Sequence, residues 1–350
     1  MTISKQILPT ISVIIPTRNE EKYIASCLDS ILNNDYPQDK IEIIISDGLS
    51  DDGTRKILEE YQEKYPKIIV LENINKTVPY ALNLAIEKAS GEYIVRVDAH
   101  AHYPRDYLLK LVESSIRLNA DNVGGMFDTV PINQKSETIA VANVMSSWFG
   151  VGNSLHRIGA KEPVRADTVP YGCYHRDVFS RIGLFDTDLA RNQDDELNAR
   201  LTNAGGVIYF LPEIKITYYA RDTIRKMGKM FYQYGYYKPL VSKKIGRPTS
   251  LRQLVPTAFV TLLVAPLILS IFVSEFYLIS LSVFIIYMLI NMAVSIVLSR
   301  KIGVKCFPYL VIGFLAAHLS YGVGYIRGII DHILRLRSTK GVIKIPDINR

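Results

Sequence analysis

The stretch Val97-Asp98-Ala99-His100-Ala101-His102 follows a run of β-forming residues at 93–97. Alternate residues of an extended chain share a face, so Asp98 and His100 are predicted to lie side by side where a buried strand ends. A carboxylate and an imidazole in that position suit one divalent cation, Mn²⁺ or Mg²⁺, held against a diphosphate. A histidine taken singly is more often a surface side chain than a ligand, so this interpretation depends on the rest of the chain.

In the amino-terminal part of the chain, segments with the hydrophobic pattern of strands alternate with segments that have the pattern of helices. Strand-like runs at 11–15, 41–46, 68–72 and 93–97 are separated by helical patterns at 23–32, 51–65 and 79–89. This alternation predicts an α/β fold built on a mostly parallel sheet with helices on both faces. Ligands of such sheets bind beyond the carboxyl ends of the strands.

Polar clusters stand at three of these strand ends, at 17–20, 47–51 and 98–102. Taken alone, Asp47 with the glycine after it is as readily a turn, and Asp51 is as readily a helix cap. Three clusters at carboxyl ends of one sheet are much less expected by chance, and together they predict a ligand site at that edge.

Composition excludes several classes of protein. The chain has 350 residues, 48% of them hydrophobic, and a net charge of +7. Its three cysteines are far apart, which argues against a disulfide framework or a zinc site and favours a reducing compartment. Neither the Gly-x-Gly-x-x-Gly fingerprint nor a phosphate loop occurs, so a dinucleotide oxidoreductase and a P-loop nucleotidase have no support. The basic excess lies beside apolar segments, which favours an anionic membrane surface over nucleic acid.

Charged residues nearly vanish between 254 and 330. The segments 254–274 and 276–298 lack Lys and Arg and are long enough to cross about 30 Å of hydrocarbon. A third candidate, 307–330, is interrupted by His318, Ser320 and Arg327. Basic residues stand before the first segment and after the second: Lys243, Lys244, Arg247, Arg252, Arg300, Lys301 and Lys305. The positive-inside rule therefore predicts a multi-pass protein of the cytoplasmic membrane whose α/β domain faces the cytoplasm.

Three crossings would leave a basic tail (Arg335, Arg337, Lys340, Lys344 and Arg350) outside, against that rule. The segment 307–330 is thus either re-entrant or interfacial, or the tail breaks the rule. The predicted organisation is an α/β domain at 1–220, an amphipathic interfacial segment at 221–250, a membrane region with two or three transmembrane helices at 251–332, and a basic tail at 333–350.

Six stretches carry a family resemblance: ISVIIPTRNE (11–20), ISDGLSDDGT (45–54), GEYIVRVDAH (91–100), PYGCYHR (170–176), GLFD (183–186) and NQDDELNARL (192–201). Together they resemble the inverting family 2 glycosyltransferases of the GT-A fold, over residues 11 to about 240. Within that family, the VDAHAHYP wording and the apolar carboxyl-terminal part look most like the succinoglycan-type exopolysaccharide transferases.

The resemblance implies a role for each cluster. It implies a UDP-sugar donor bound by Pro16, Thr17, Asn19, Glu20, Asp47, Ser50, Arg96 and Asp98, with Asp47 accepting a hydrogen bond from uracil. It implies a divalent cation on Asp98 and His100, and Asp194 as the catalytic base. Gly172, Cys173, Arg191, Gln193 and Asp195 are acceptor-side candidates, and weaker ones are Trp148, Arg165, Tyr171 and His175.

The chain departs from the family pattern in three places. His100 stands where the metal motif has a second aspartate, which removes a negative charge and favours manganese over magnesium. The usual Glu-Asp pair reads Gln193-Asp194, and the acidic run 194–196 should raise at least one pKa, although acids there also suit a helix amino terminus. The processive Gln-x-x-Arg-Trp motif is missing, since Gln233 is followed by Tyr-Gly-Tyr-Tyr. A non-processive transferase is therefore favoured.

The expected function is transfer of one sugar to a polyprenyl-diphosphate-linked saccharide in exopolysaccharide or capsule assembly. A lipid-linked saccharide is the expected acceptor, and other polysaccharide-assembly enzymes are candidate partners. Two alternatives stay open: transfer to polyprenyl phosphate itself, and an inactive membrane scaffold. The presence of Asp47, Asp98 and Asp194 argues against the scaffold.

Overall fold

The computed structural model of the chain describes residues 8–248 and 250–334. They form two compact units. The first, here called the α/β unit, comprises residues 8–128 together with Gly159–Tyr218; the second, the helical unit, comprises Thr129–Ile158 and the described residues from Tyr219 to 334. From 335 onward the predicted basic tail lies outside the described residues.

The strands are β1 (Ile11–Thr17), β2 (Ile41–Asp47), β3 (Ile68–Glu72), β4 (Tyr93–Arg96), β5 (Ala101–His102), β6 (Asn122–Val130), β7 (Val164–Arg165), β8 (Cys173–His175) and β9 (Ile208–Tyr219). The helices are α1 (Ile24–Leu32), α2 (Thr54–Lys64), α3 (Val78–Lys88), α4 (Tyr107–Leu118), α5 (Ser136–Ser146), α6 (Trp148–Val151), α7 (Leu155–Ile158), α8 (Asp177–Ile182), α9 (Gln193–Asn203), α10 (Ile224–Ile245), α11 (Val255–Leu269), α12 (Tyr277–Ile302) and α13 (Phe307–Gly328).

One sheet organises the α/β unit, in the order β3-β2-β1-β4-β8-β6-β9-β5 with β7 beside β9. β3, β2, β1 and β4 run parallel, with Ile11 opposite both Ile41 and Tyr93. β1, β2 and β4 are almost wholly buried, which explains their continuous apolar runs, whereas β3 is mostly half-buried. The α/β prediction is confirmed.

The other half of the sheet differs from the prediction. β8 runs antiparallel to both β4 and β6, and β9 is antiparallel to β5 and β7. The sheet is therefore mixed instead of mostly parallel. β5, β7 and β8 have only two or three residues each, too few to show a hydrophobic period in the sequence.

Within its described residues, the helical unit contains three helices long and apolar enough to cross a membrane: Leu251–Leu269, Ser274–Ile302 and Val304–Ile333. Each includes a short 3₁₀ or π segment at an end. They correspond to the three predicted segments. α11 and α12 pack as a hairpin in which the Phe259 and Tyr287 rings stack at 4.2 Å. α13 packs against both of them and against α5.

α10, which falls in the predicted interfacial segment, lies along α13 at backbone contact distance. A Cβ on Gly235 would lie 2.1 Å from the Tyr321 carbonyl oxygen, and one on Gly324 would lie 2.2 Å from that of Tyr232. Only glycine allows such close approach of two helices. The four glycines within 307–330 predict tight helix contact, but the sequence did not identify α10 as the partner.

Candidate active site

The carboxyl ends of three adjacent parallel strands carry the predicted donor cluster. Asp47, the last residue of β2, pairs with Thr17 at the end of β1. Val97 donates its amide hydrogen to the Ile14 carbonyl oxygen at 3.1 Å, so Asp98 follows at the same edge of the sheet. β2 and β4 flank β1, which puts Asp47 and Asp98 about 10 Å apart by strand spacing.

The turn after β1 is fixed to the turn after β2 by hydrogen bonds. Asn19 has a left-handed backbone (φ 55°), a conformation that asparagine tolerates. Its amide hydrogen bonds Ser50 Oγ at 2.9 Å, and its side chain bonds both the carboxylate and the backbone of Asp51 at 2.8 and 3.0 Å. The Glu20 amide donates to Thr54 Oγ1 at 2.8 Å. The two clusters therefore form one rigid rim.

Pro16 and Thr17 contribute mainly backbone to this rim. Pro16 lies in β1 opposite Ser46, and the Thr17 carbonyl oxygen accepts a bond from the Gly48 amide at 2.8 Å. The Thr17 side chain is buried.

Asp47 is only 3% exposed, and its carboxylate is held by neighbours. One oxygen accepts from the Ser50 amide (3.1 Å) and from Arg55 Nε (3.0 Å), and the other accepts from the Ser50 hydroxyl. A carboxylate has about four acceptor positions, so it can accept one more donor. Arg55 was not among the predicted residues; the one sign of it in the sequence is a pair of cations, Arg55 and Lys56, in the first turn of the helix after the aspartate.

Arg96 joins the strand that precedes the predicted cation ligands to the segment that carries the predicted base. Its buried side chain donates from Nε and one terminal nitrogen to Asp98 Oδ1, at 3.2 and 3.0 Å. The other terminal nitrogen donates to Asp194 Oδ1 at the start of α9. The sequence placed Arg96 in the donor site but gave no sign that it bridges two carboxylates.

The two carboxylates on Arg96 have opposite pKa shifts. Burial raises the pKa of Asp194, Asp98 and Asp195 add to that effect, and Arg96 opposes it. Burial also acts to raise the pKa of Asp98, but Arg96 and His100 outweigh it, so that this pKa is lowered. When two carboxyl groups of one site have pKa values shifted in opposite directions, one stays ionised while the other can bind a proton. Asp98 therefore stays ionised to a lower pH than Asp194, whose carboxylate takes up a proton at a higher pH than an ordinary aspartate.

His100 and Glu20 form the part of the site suited to a cation. His100 Nδ1 lies 3.0 Å from Glu20 Oε1. A carboxylate oxygen accepts, so Nδ1 of the neutral ring carries the hydrogen and Nε2 keeps its lone pair, as in metal-bound histidines held by a carboxylate. Across residues 8–248 and 250–334, no group of three or more His, Cys, Asp or Glu side chains forms a metal site. Asp98 and His100 therefore fit a cation that takes its other ligands from phosphate oxygens and water.

The segment before β8 supports the site from behind. Tyr171 has a left-handed backbone (φ 48°), its hydroxyl bonds the Asp98 carboxylate, and its ring lies 5.6 Å from the Arg96 guanidinium. The Gly172 carbonyl oxygen accepts the Arg96 amide hydrogen at 3.0 Å. Tyr103, which the sequence analysis did not single out, accepts a bond from the Asp98 amide at 2.8 Å.

The structure gives four acceptor-side candidates different surroundings. The Cys173 side chain is fully buried in β8, between β4 and β6. His175 pairs with Tyr93, at the opposite end of β4 from Asp98, because β8 runs antiparallel to β4. Arg165 is exposed on β7, and Trp148 belongs to the helical unit.

Three candidates stay beside the base. Gln193 and Asp195 flank Asp194 in the first turn of α9, and Arg191 lies two residues before Gln193. Asn192, with a left-handed backbone (φ 62°), makes the bend from which the helix starts.

Comparison with known proteins shows the family to which the chain belongs. The family model described as Glycosyl transferase family 2 matches residues 12–183. A dolichyl N-acetyl-alpha-D-glucosaminyl phosphate 3-beta-D-2,3-diacetamido-2,3-dideoxy-beta-D-glucuronosyltransferase of Methanococcus voltae is 35% identical over 242 residues, which cover 67% of this chain and 74% of that protein. The chain belongs to glycosyl transferase family 2.

Further relatives agree with this assignment. The family 2 chain is 29% identical over 248 residues to the succinoglycan biosynthesis protein ExoA of Rhizobium meliloti (strain 1021), with 70% of this chain and 74% of that protein covered. In structure it is similar to the mannosyltransferase PcManGT of Pyrobaculum calidifontis, solved with GDP-Man and Mn²⁺, at a TM-score of 0.56 and 18% identity, over 95% of this chain and 90% of that one. This likeness is one of fold and confirms the predicted GT-A fold.

Proposed function

We propose that this family 2 protein is a membrane-bound, inverting, non-processive glycosyltransferase. It moves one sugar from a UDP-sugar to a polyprenyl-diphosphate-linked saccharide in exopolysaccharide, capsule or related glycan assembly. The observation that carries the proposal is the shared guanidinium of Arg96, which holds the donor-side carboxylate Asp98 and the base Asp194 in one site.

The donor half of the reaction rests on the rim of strand ends. Asp47 has one acceptor position left, which suits the N–H of a uracil ring, and the 17–20 turn lies against it. Asp98 and His100 would hold a divalent cation, which supplies positive charge to the diphosphate when bound.

The transfer step needs a base that solvent and acceptor can reach. The Asp194 side chain is 27% exposed, whereas that of Arg96 is 5% exposed. Asp194 takes the proton of the acceptor hydroxyl as its oxygen bonds the anomeric carbon, while the bond from that carbon to the phosphate oxygen breaks and UDP leaves. Attack from the face opposite UDP inverts the anomeric carbon. General-base help of this kind is worth about 10²–10⁴ in rate.

The relatives support a lipid-linked acceptor. The Methanococcus voltae protein is named for a dolichyl phosphate-linked sugar, and ExoA for succinoglycan biosynthesis. A chain with three helices apolar enough to enter a bilayer is suited to an acceptor that is itself held in the membrane. Other enzymes of the same assembly route would be its partners.

We further propose that α11 and α12 cross the membrane and that α13 does not. α10 carries six Lys and Arg residues and lies at backbone contact along α13. Moving α13 across hydrocarbon would take those charges with it, at a cost of about 2.5–3.5 kcal/mol for each. Two crossings keep the α/β unit and the basic tail on the cytoplasmic side.

Cysteine labelling tests this topology. Ser274→Cys, between α11 and α12, should react with a membrane-impermeant maleimide added to intact cells, and Ser338→Cys in the tail should react only after the cells are opened. The native Cys27, Cys173 and Cys306 are buried and give little background. Labelling of Ser338→Cys in intact cells would contradict the two-crossing topology.

A donor-panel assay in membranes tests the function. The wild-type protein should transfer label from one UDP-sugar to a lipid fraction, and Asp194→Asn should reduce transfer about 10²–10⁴-fold while UDP binding persists. Asp177→Asn, which replaces an exposed aspartate at the other end of β4, is the matched control and should keep the transfer. Equal transfer by the wild-type and Asp194→Asn proteins would remove the base assignment.

Two further outcomes separate the alternatives. Thin-layer analysis of a product with one phosphate and one sugar would favour transfer to polyprenyl phosphate. Purified protein that neither binds nor hydrolyses any UDP-sugar in the presence of Mn²⁺ would favour the inactive scaffold.

A further inference from the structure

Trp148, the one tryptophan of the chain, is 68% exposed in the helical unit. It opens the short helix α6, whose next residue points the other way. The Phe149 ring packs against Phe314 at 5.0 Å and against His318 at 5.1 Å. The indole of Trp148 is exposed while the half-buried ring of Phe149 packs inward, so packing of Phe149 sets the outward direction of Trp148.

The backbone of α6 is also fixed. His318 Nε2 lies 2.8 Å from the Phe149 carbonyl oxygen. A Cβ on Gly150 would lie 2.0 Å from the Val144 carbonyl oxygen, so α6 sits directly on α5. These two contacts fix the backbone that carries Trp148, so the position of its side chain on the surface is defined.

The same segment is tied to the beginning of the first candidate span. An Arg252 terminal nitrogen lies 3.3 Å from both the backbone and side-chain oxygens of Asn153. Gly152, which bonds the Trp148 carbonyl oxygen at 2.8 Å, lies close to the Arg252 side chain. The segment that carries Trp148 is therefore in contact with Arg252, three residues before α11 begins.

Large apolar side chains surround that point. Leu251 is 79% exposed and Val255 is 67% exposed, on either side of Arg252. The exposed apolar surface continues along α11 through Leu262 and Val264. The Trp148 patch, defined as Trp148, Leu251, Arg252 and Val255, is thus continuous with a helix surface suited to lipid.

We propose that the Trp148 patch lies at the boundary between headgroups and acyl chains of the bilayer that α11 and α12 enter. Indole rings favour that boundary because they are apolar with one polar N–H. The Arg252 guanidinium beside it suits an anionic headgroup. The segment 147–153 is therefore a second membrane contact, separate in sequence from the apolar helices, and Trp148 serves as an anchor instead of a sugar platform.

Intrinsic fluorescence tests this directly, since all tryptophan emission of the wild-type protein comes from Trp148. The full-length protein is reconstituted in vesicles of phosphatidylcholine and phosphatidylglycerol. The acyl chains carry bromine either near the glycerol or near the terminal methyl group. We expect strong quenching by bromine near the glycerol, at least about twofold weaker quenching by bromine near the methyl end, and little quenching by aqueous iodide.

Two reference proteins calibrate depth in a Trp148→Phe background. Tyr80→Trp, in the α/β unit, should be quenched by iodide and not by bromolipid. Phe284→Trp, exposed on α12, should be quenched most by bromine near the methyl end. The proposal fails if wild-type emission follows the Tyr80→Trp pattern, or if it changes on addition of saccharide acceptor but not with bromolipid.

Discussion

Arg96 donates a hydrogen bond to Asp194 across 98 residues of sequence, and the same guanidinium ion-pairs with Asp98 two residues away. One buried guanidinium thus sets the position of Asp194, the proposed base, relative to the end of β4. The arrangement is fixed before any donor binds, which removes part of the ordering cost from the reaction.

Replacement of Arg96 should therefore damage both stability and transfer. Arg96→Met leaves two carboxylates without their common partner, and loss of one member of a buried ion pair costs about 3 kcal/mol. We expect a lower unfolding temperature in detergent and at least a hundredfold loss of kcat/KM. Arg96→Lys should recover stability better than transfer, because an ammonium cannot give separate N–H groups to two carboxylates in a fixed plane.

A surface pair provides the matched control for Arg96. Arg105 is 79% exposed and pairs with Asp35 at 3.1 Å. Exposed pairs contribute about 0–1 kcal/mol, so Arg105→Met should leave unfolding and transfer nearly unchanged. Wild-type kcat/KM in Arg96→Met would contradict the bridging role.

The pH dependence of transfer should report the raised pKa of Asp194. Only the ionised carboxylate accepts a proton, so kcat/KM should fall as the pH drops through this pKa, at a higher pH than for an ordinary aspartate. The negative charge of Asp195 contributes to the rise. Asp195→Asn should therefore lower the pKa of Asp194 and move the acid limb of the pH–rate profile to lower pH.

The comparison variant for the pH profile is Asp177→Asn. Asp177 is 77% exposed and lies beside His175, at the other end of β4 from Asp98. The acid limb of the pH–rate profile of Asp177→Asn should coincide with that of the wild-type protein. An acid limb that stays in place in Asp195→Asn would show that another group controls the rate.

Glu20 should control how well His100 holds a cation. Removal of a carboxylate that orients a metal-bound histidine usually lowers metal affinity about 10–100-fold. We expect Glu20→Gln to weaken Mn²⁺ binding in the presence of UDP by a factor in that range, measured by electron paramagnetic resonance of free Mn²⁺. Unchanged Mn²⁺ affinity would separate His100 from the cation.

His100→Asp should change which cation is preferred. A second carboxylate restores negative charge and an oxygen ligand, which suits Mg²⁺ better than an imidazole does. Mg²⁺ should displace Mn²⁺ from this variant at a lower concentration than from the wild-type protein. The double variant His100→Asp/Glu20→Gln should show the effect more clearly, because it avoids two adjacent carboxylates.

The contact between α10 and α13 should depend on one glycine more than on its neighbour. A Cβ on Gly235 would meet the backbone of Tyr321 at 2.1 Å, whereas one on Gly228 would meet only the Ser320 hydroxyl at 3.1 Å. Gly235→Ala should lower stability by about 1–3 kcal/mol through overpacking, and Gly228→Ala should be tolerated. Thermal unfolding followed by size-exclusion chromatography compares them, and equal stability would contradict the close pairing.

Much of the α/β unit could be predicted from its local pattern. The strand runs and helical patterns up to β4 lie within a few residues of the observed elements, because each is long and periodic enough to show its period. The short antiparallel strands could not be predicted, since two or three residues carry no period and their pairing depends on partners far away in sequence.

The candidate site divides in the same way. Asp47, Asp98 and Asp194 stand out because strand ends and a helix start are visible in the sequence. Their predicted roles came from the resemblance of the surrounding motifs to the family. Arg55 and Tyr103 did not stand out, because an arginine or a tyrosine in a loop or first helical turn is ordinary until its partner is known.

The sequence by itself determined the α/β class, the apolar carboxyl-terminal helices and the residue types available for donor, cation and proton. Only the tertiary structure decided which of them meet. It turned His175 to the far end of β4, buried Cys173, and joined Asp98 to Asp194 through Arg96. The reason is physical: hydrophobic periods are local properties of the chain, whereas a buried charge takes whichever counterion the packed chain brings to it.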